Sequence, residues 1–150
     1  MVSRTGTTVD TDMQSFNQQV IAEFRANGGD VGEKFPMFAG APLAIFTMTG
    51  AKSGQPREIP LVYTTDGDRL VIIASKGGAP TNPDWYHNLV ANPSVKVELP
   101  SETYQGKAVE QTGEERDRLY AAQAALMPNF AEYQAGTERK IPLFTVERVG

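Results

Sequence analysis

The chain has no cysteine and only one histidine, His87, among its 150 residues. The absence of cysteine excludes disulfides, thiolate metal sites and a cysteine nucleophile. One histidine is too few for a metal site built from several imidazoles, and any serine triad would have to use it. We interpret His87 as structural, because no acid and nucleophile lie at useful spacing. We therefore expect a protein without a metal site, which either binds a ligand or takes its reactive atoms from a cofactor.

Long apolar runs are also missing. The longest, residues 43–46 and 70–74, fall far short of the roughly 20 residues that span a bilayer. The first residues lack the charged and then apolar profile of a secretion signal. These absences predict a cytoplasmic location, and they leave peripheral contact with the inner face of the plasma membrane open. The length predicts one domain over residues 13–150, preceded by a flexible segment over residues 1–12.

The net charge of −4 argues against a nucleic-acid partner, because proteins that bind nucleic acids normally carry a surplus of basic residues. The distribution of charge is more informative than the sum. No carboxylate occurs from Lys34 to Arg57 or from Arg69 to Pro83, although Lys52 and Lys76 lie in these stretches. Two basic windows in an acidic chain indicate a local anion site, with chance clustering as the alternative.

Helix signals occur in four places. A helix is predicted over residues 13–27, with Asp12 as its cap and two glycines after its end. Its apolar stripe favours core packing over membrane binding and comprises Phe16, Val20, Ile21 and Phe24. Asn82 as cap and Pro83 at the first position predict a helix over residues 84–91. A capping box of Thr112 and Glu115 opens another, which ends before Pro128 and is followed by a short helix over residues 130–135.

Six segments read as strands: residues 43–49, 58–64, 69–75, 94–99, 103–111 and 141–148. The first three are predicted to form an antiparallel meander. Pro60 inside the second marks an edge or a bulge, because proline cannot donate to the ladder. Six antiparallel strands with three to four helices predict a mainly β, α+β domain that curls into a small closed or partly closed barrel.

Three segments carry groups suited to binding or catalysis. In residues 47–57, Lys52 and Arg57 flank a glycine-rich turn that suits phosphate or carboxylate, although an ordinary solvated hairpin has the same composition. In residues 74–89, consecutive glycines permit close approach of a planar ligand before a helix N-terminus. The lone Trp85 there either stacks on a ring system or packs in the core. In residues 127–134, Phe130 and Tyr133 share one helix face, which either packs on the barrel or roofs a pocket.

The motifs KSGQPR (residues 52–57), ASKGGAP (74–80), NPDWYHNL (82–89) and RKIP (139–142) together resemble the deazaflavin-dependent nitroreductase family. The resemblance covers residues 16–147. It implies a split β-barrel related to flavin-mononucleotide-binding barrels, and hydride transfer from reduced coenzyme F420 to quinones, enones or lactones. The basic windows then match the phosphate and oligoglutamate tail of that coenzyme.

The resemblance also assigns roles to residues of this chain. The implied coenzyme-binding residues are Lys52, Ser53, Gly54, Arg57, Pro60, Ala74, Ser75, Lys76, Gly77, Gly78, Trp85 and Asn88. The implied substrate pocket comprises Met127, Phe130 and Tyr133, and the implied catalytic residues are Ser75 and Tyr133.

This chain departs from the family pattern in two places. Ala51 stands where many relatives carry arginine, so one contact to the coenzyme tail is missing. Met127 and Phe130 stand where the nitroimidazole-activating member has tyrosines, which disfavours nitro compounds as acceptors. Two alternatives stay open: a coenzyme or small-ligand binding protein without turnover, and a reductase that uses flavin mononucleotide (FMN) on the same barrel.

Overall fold

The structure is a computed structural model that describes the backbone of residues 5–149 and the side chains of residues 15–149 except residue 77. The helices are α1 (Thr5–Ala26), α2 (Asp84–Ala91), α3 (Gly113–Leu126) and α4 (Asn129–Ala135). The strands are β1 (Leu43–Thr49), β2 (Pro56–Val62), β3 (Thr64–Asp66), β4 (Arg69–Ile73), β5 (Ser94–Glu98), β6 (Thr103–Gln111) and β7 (Leu143–Arg148). Short 3₁₀ turns cover Pro36–Phe38 and Lys76–Gly78.

The seven strands form one antiparallel sheet in the order β2-β1-β5-β6-β7-β4-β3. Its two end strands, β2 and β3, are separated in the chain by a single residue, Tyr63. Because neighbouring Cα atoms are only about 3.8 Å apart, the two ends of the sheet must meet at that residue. The sheet therefore curls into a half-closed barrel, which confirms the predicted mainly β, split-barrel fold.

The central strands are buried on both faces, and their side chains alternate between two cores. In β1, Ala44, Phe46 and Met48 belong to the core inside the barrel, whereas Leu43 and Ile45 pack under α1. The strand β4 divides in the same way between the barrel core and a third core beneath α3 and α4. Period-two alternation with both faces covered is what a strand between two layers requires.

The helix α1 packs against the outer face of the barrel, as its apolar stripe predicted. Val20, Ile21 and Phe24 are each at most 5% exposed, and each such burial stabilises the fold by about 1.5–3 kcal/mol. The helix ends where Gly28 adopts a φ of +63° and the Gly29 N–H donates to the Phe24 carbonyl over 2.8 Å. None of the described helices combines the length and the apolar character needed to cross a bilayer.

Two sequence predictions about the strands need correction. The predicted meander forms only in part: β1 pairs with β2 and β3 pairs with β4 across the two predicted turns, but β2 and β4 do not pair with each other. The predicted strand over residues 58–64 is divided at Tyr63, so seven strands replace six. Both errors arise from curling, which passes one continuous segment from the first strand of the sheet to the last. Pro60 does lie in an end strand, opposite Ile45, which confirms the edge position.

The predicted helix caps are also corrected. The helix α1 begins at Thr5, so Asp12 lies inside it and residues 5–12 of the segment expected to be flexible are helical; residues 1–4 lie outside the described part. Pro83 takes the cap position of α2, and the Asn82 side chain instead accepts a hydrogen bond from Arg139. Thr112 stands at the N-cap of α3 without a side-chain bond, and the Glu115 carboxylate, the other half of the predicted capping box, accepts hydrogen bonds from Arg69 and Arg118 instead.

Candidate functional site

The barrel is split where two strands separate. The β3–β4 ladder ends at the pair Thr64 and Val71. Beyond it, β2 follows β1 and β4 follows β7. The chain leaves β4 through residues 74–79 on one side of this opening, and β2 with Pro60 lines the other. The opening thus brings Pro60 to the side opposite the loop of the second candidate segment.

The β1–β2 turn, residues 50–55, is held by its own hydrogen bonds. The Gly50 N–H donates to the Gln55 carbonyl over 2.8 Å, and the Gly54 N–H donates to the Gly50 carbonyl over 2.9 Å. The Ser53 hydroxyl accepts from the Gln55 N–H at 3.1 Å and from Arg57 Nη2 at 3.2 Å. Gly54 has a φ of +73°, where residues with a side chain are strained. The turn therefore orients the Arg57 guanidinium.

Asn88 joins this turn to α2. Its Oδ1 accepts the Ala51 N–H over 2.9 Å, so a residue predicted to bind coenzyme has a structural bond as well. The bond joins residues 37 positions apart and brings the first and second candidate segments together.

The loop after β4 presents backbone N–H groups. Ser75 is in the right-handed region, with φ −75° and ψ −37°, and Lys76 follows with a φ of +47°. Within the described part of the chain, the N–H groups of Ser75 and Lys76 have no hydrogen-bond acceptor. Successive free N–H groups in such a conformation form a concavity suited to an anion or an electron-rich oxygen. The Lys76 ammonium, exposed to solvent, donates to the Thr81 hydroxyl over 3.2 Å.

The helix α4 packs directly on this loop. A Cβ built on Gly78 would come within 3.0 Å of the Tyr133 carbonyl oxygen, and Gly78 has a φ of +84°. The candidate segment of residues 127–134 can therefore pack against that of residues 74–89 only because residue 78 is glycine. The Tyr133 hydroxyl accepts from Asn129 Nδ2 over 2.8 Å, and its ring lies edge-on to Phe130 at 5.3 Å.

Some predicted site residues are buried. Trp85 is 7% exposed and packs near Phe144, with ring centroids 6.1 Å apart. Phe130 is 8% exposed, and Ala74 has no exposed surface. Their side chains fill cores, so any contribution of Ala74 to a ligand comes through its backbone. His87 is exposed and lies edge-on to Tyr86.

The lysines and arginines of the first two candidate segments have no carboxylate within ion-pair distance among the described residues. Seven lysines and arginines of the described chain have a carboxylate within ion-pair distance: Arg25, Lys34, Arg69, Arg116, Arg118, Lys140 and Arg148. The described lysines and arginines without one are Lys52, Arg57, Lys76 and Arg139, together with Lys96 and Lys107 outside the candidate segments. Inside the carboxylate-free windows, Lys52, Arg57 and Lys76 thus have no carboxylate partner among the described residues, whereas Lys34 and Arg69, which begin the two windows, do have one. This donor set, with the free N–H groups of the loop, fits an anionic ligand.

Arg139 is the residue that sequence reasoning missed. It lies between α4 and β7, and its guanidinium bonds to the loop at residues 74–82. The sequence offered one signal, its place in the RKIP motif. Its contacts come from residues 57 to 65 positions away, and no local pattern encodes these.

Two surface clefts lie away from the site. One, of about 400 Å³, runs between residues 28–31 and Tyr63. The other, of about 480 Å³, is lined by Asp68, Arg69, Glu147 and Arg148. No predicted site residue lines either cleft, so we place the site by its polar groups and its position at the split.

Comparisons with known proteins agree with the coenzyme that the sequence motifs imply, but the family they name is one of quinone reductases rather than nitroreductases. The family model described as F420H(2)-dependent quinone reductase matches residues 16–148. An F420H(2)-dependent quinone reductase of Mycobacterium tuberculosis is 37% identical over 131 residues, which cover 85% of this chain and 86% of that protein.

Two solved structures are similar to this one. The F420-H2 dependent reductase FDR-A is 42% identical, with a TM-score of 0.66 over 71% of this chain and 94% of that one. A chain described as a domain-swapped dimer is 37% identical, with a TM-score of 0.68 over 92% of this chain and 99% of that one.

Proposed function

The chain belongs to the F420H(2)-dependent quinone reductase family, and on that premise we propose that it transfers a hydride from reduced coenzyme F420 to an electron-poor acceptor of the quinone type. When bound, the coenzyme supplies the hydride. The observation that carries the proposal is the set of cations at the split that lack carboxylate partners. The protein then contributes binding, orientation and a proton.

Lys52, Arg57 and Lys76 are the proposed anion-binding residues. Lys52 acts as an exposed point charge, and Arg57, oriented by Ser53, acts as a planar fork for phosphate or carboxylate. These charges suit the phosphate and the oligoglutamate tail of the coenzyme. Because Ala51 brings no charge to the same turn, this chain holds the tail with fewer contacts than relatives with arginine there.

The ring of the coenzyme is proposed to lie in the split, between Pro60 and the loop of residues 74–78. The free N–H groups of Ser75 and Lys76 are suited to an electron-rich oxygen or nitrogen of the ring. A glycine at position 77 suits close approach of a planar group, whereas the space beside Gly78 is filled by the Tyr133 backbone. Asn88 closes this site indirectly, through its bond to the turn that carries Lys52.

Tyr133 and Ser75 are the proposed proton donors to the reduced acceptor. The Tyr133 hydroxyl accepts from Asn129, and its own proton has no acceptor among the described residues. Accepting one hydrogen bond strengthens a hydroxyl as a donor to the next group. Met127 and Phe130 bring no proton donor to this side, which favours quinones and enones over nitro compounds.

We also propose a cytoplasmic location, with contact to the membrane surface limited to collecting an apolar quinone. Co-sedimentation with anionic vesicles, with and without menaquinone, tests this part separately. Sedimentation that does not depend on quinone would contradict it.

The deciding experiment mixes the purified protein with reduced F420 and menadione under anaerobic conditions and follows reoxidation of the deazaflavin. We expect turnover that depends on both protein and acceptor, and a Tyr133→Phe variant that binds F420 normally but turns over at least tenfold more slowly. Tight fluorescence-detected binding of F420 without turnover across quinones, enones and lactones would instead indicate a binding protein. Competition in which FMN displaces F420 would indicate the flavin alternative.

A further inference from the structure

Arg139 holds both ends of the loop that borders the split. Its Nε donates to the Ala79 carbonyl at 2.8 Å, and its Nη2 donates to the Ser75 carbonyl at 2.7 Å. Its Nη1 donates to the Ala74 carbonyl at 3.2 Å and to Asn82 Oδ1 at 2.7 Å. One half-buried guanidinium therefore bonds to the loop where it leaves β4 and again where it enters α2.

The charge of Arg139 is not matched by an acid. Among the described residues no carboxylate lies within ion-pair distance, and burial lowers the pKa of the guanidinium from its ordinary value. By contrast, the guanidinium of Arg69, at the other end of β4, bonds to the carboxylates of Asp66 and Glu115. A partly desolvated guanidinium whose acceptors all belong to one loop serves the shape of that loop.

The bonds to two successive carbonyls also set the direction of the N–H groups. A trans peptide group points its C=O and its N–H to opposite sides, and the described chain has no cis peptide. Because the Ala74 and Ser75 carbonyls turn toward Arg139, the N–H groups of Ser75 and Lys76 turn away from it. These are the N–H groups that have no acceptor in the described chain.

We propose that Arg139 is a positioning residue, which holds residues 74–82 in the conformation that presents the Ser75 and Lys76 N–H groups to the coenzyme. The proposal rests on the proposed function for the identity of that ligand. Its first part, the holding of the loop, concerns the protein alone. The fork geometry is essential, because a lysine at this position keeps the charge but cannot reach four acceptors from one planar group.

The test compares Arg139→Gln and Arg139→Lys with wild type by two readouts. Hydrogen exchange of the free protein reports on the loop, and fluorescence titration with oxidised F420 reports on binding. We expect exchange in peptides covering residues 74–82 to accelerate at least tenfold in both variants, and the Kd for F420 to rise at least tenfold. The KM for reduced F420 should rise similarly, while the KM for menadione changes less than threefold.

Arg69→Met is the matched control, because it removes a partly buried guanidinium from the opposite end of β4. It should leave loop exchange and the Kd for F420 as in wild type, even though it lowers stability. Should the Arg139 variants fail to fold, Asn82→Ala removes one acceptor and leaves the guanidinium in place. It is expected to raise loop exchange and the Kd about threefold, and wild-type values for both would then overturn the proposal.

The outcomes separate this proposal from the proposed function. Unchanged loop exchange in Arg139→Gln overturns the positioning role whether or not F420 binds. Wild-type exchange and affinity in Arg139→Lys would assign the effect to charge alone and overturn the role of the fork. Faster loop exchange together with a wild-type protein that does not bind F420 would support the holding of the loop and reject the coenzyme as its ligand.

Discussion

Replacing Asn88 by alanine removes the hydrogen bond that joins α2 to the β1–β2 turn. Asn88 Oδ1 accepts the Ala51 N–H over 2.9 Å. A neutral hydrogen bond contributes about 0.5–1.5 kcal/mol net to stability. Ala51 is exposed, so its freed N–H reaches water and the loss lies near the lower end of that range. For a domain of this size, a loss of about 0.5 kcal/mol corresponds to a fall in Tm of roughly 1–2 °C.

The same substitution loosens the turn that carries Lys52 and Arg57. Ordering the turn again on binding then costs about 0.5 kcal/mol, so the Kd for F420 rises roughly twofold. Asn88→Asp keeps an acceptor for the Ala51 N–H and adds a negative charge beside these two cations. We therefore expect the aspartate variant to be more stable than the alanine variant but to bind the anionic coenzyme more weakly.

Thermal unfolding compares the stabilities of the variants, and fluorescence titration with oxidised F420 at the same ionic strength compares their affinities. Asn92→Ala is the matched control, because Asn92, at the C-cap of α2 one turn after Asn88, accepts the Ser94 N–H at its Oδ1 over 3.2 Å and does not bond to the β1–β2 turn. It should lower the Tm by a similar amount and leave the Kd unchanged. Wild-type affinity in Asn88→Ala, or aspartate and alanine variants of equal affinity, would refute the role given to this contact.

Three further predictions follow from charge and backbone geometry. Lys52→Ala is expected to raise the Kd for F420 about ten- to a hundredfold and to flatten its dependence on salt; an unchanged salt dependence would contradict the anion site. Gly78→Ala should destabilise the protein by roughly 1–3 kcal/mol, because its φ is +84° and the new Cβ meets the backbone of α4 at 3.0 Å. Gly54→Ala, with a φ of +73° and nothing within 4 Å of the new Cβ, should lower the free energy of unfolding by less than Gly78→Ala does. Denaturant titration of both variants measures this difference. Hydrogen bonds from Arg25 hold the pKa of Glu98 below its ordinary value, so this pair stabilises the protein above about pH 4.3 and the contribution is lost as the pH falls through the lower folded pKa. Unfolding of Arg25→Gln should accordingly depend less on pH between 7 and 3 than unfolding of wild type.

Local signals predicted the local structure well. The observed bounds of β1, β6 and α2 equal the predicted ones, because alternation of apolar residues and a proline at a helix start act over neighbouring positions. Strand pairing was predicted less well. Which strands pair depends on how the sheet curls, and the division of one predicted strand at Tyr63 has no local signature.

The candidate site shows the same division. Two of its three segments could be found because glycines, lysines and serines cluster in carboxylate-free windows, and the third because Phe130 and Tyr133 are spaced to share a helix face. Their assembly depends on contacts such as Asn88 to Ala51 and Gly78 to Tyr133, which join residues far apart in the chain. The assignment of Asn82 as a helix cap was wrong for a related reason, because its side chain accepts a hydrogen bond from the guanidinium of the distant Arg139 instead.

Composition alone therefore narrowed the general chemistry, since a chain with no cysteine and one histidine is suited to binding a ligand or to taking its reactive atoms from a cofactor. It also predicted where an anion would be held, because the lack of carboxylates in two windows is a property of the sequence itself. Only the tertiary structure decided that these windows meet at one split and that Arg139 bonds to the loop there. Hydrogen bonds between distant residues depend on how strands and helices pack, and that packing is a property of the whole chain.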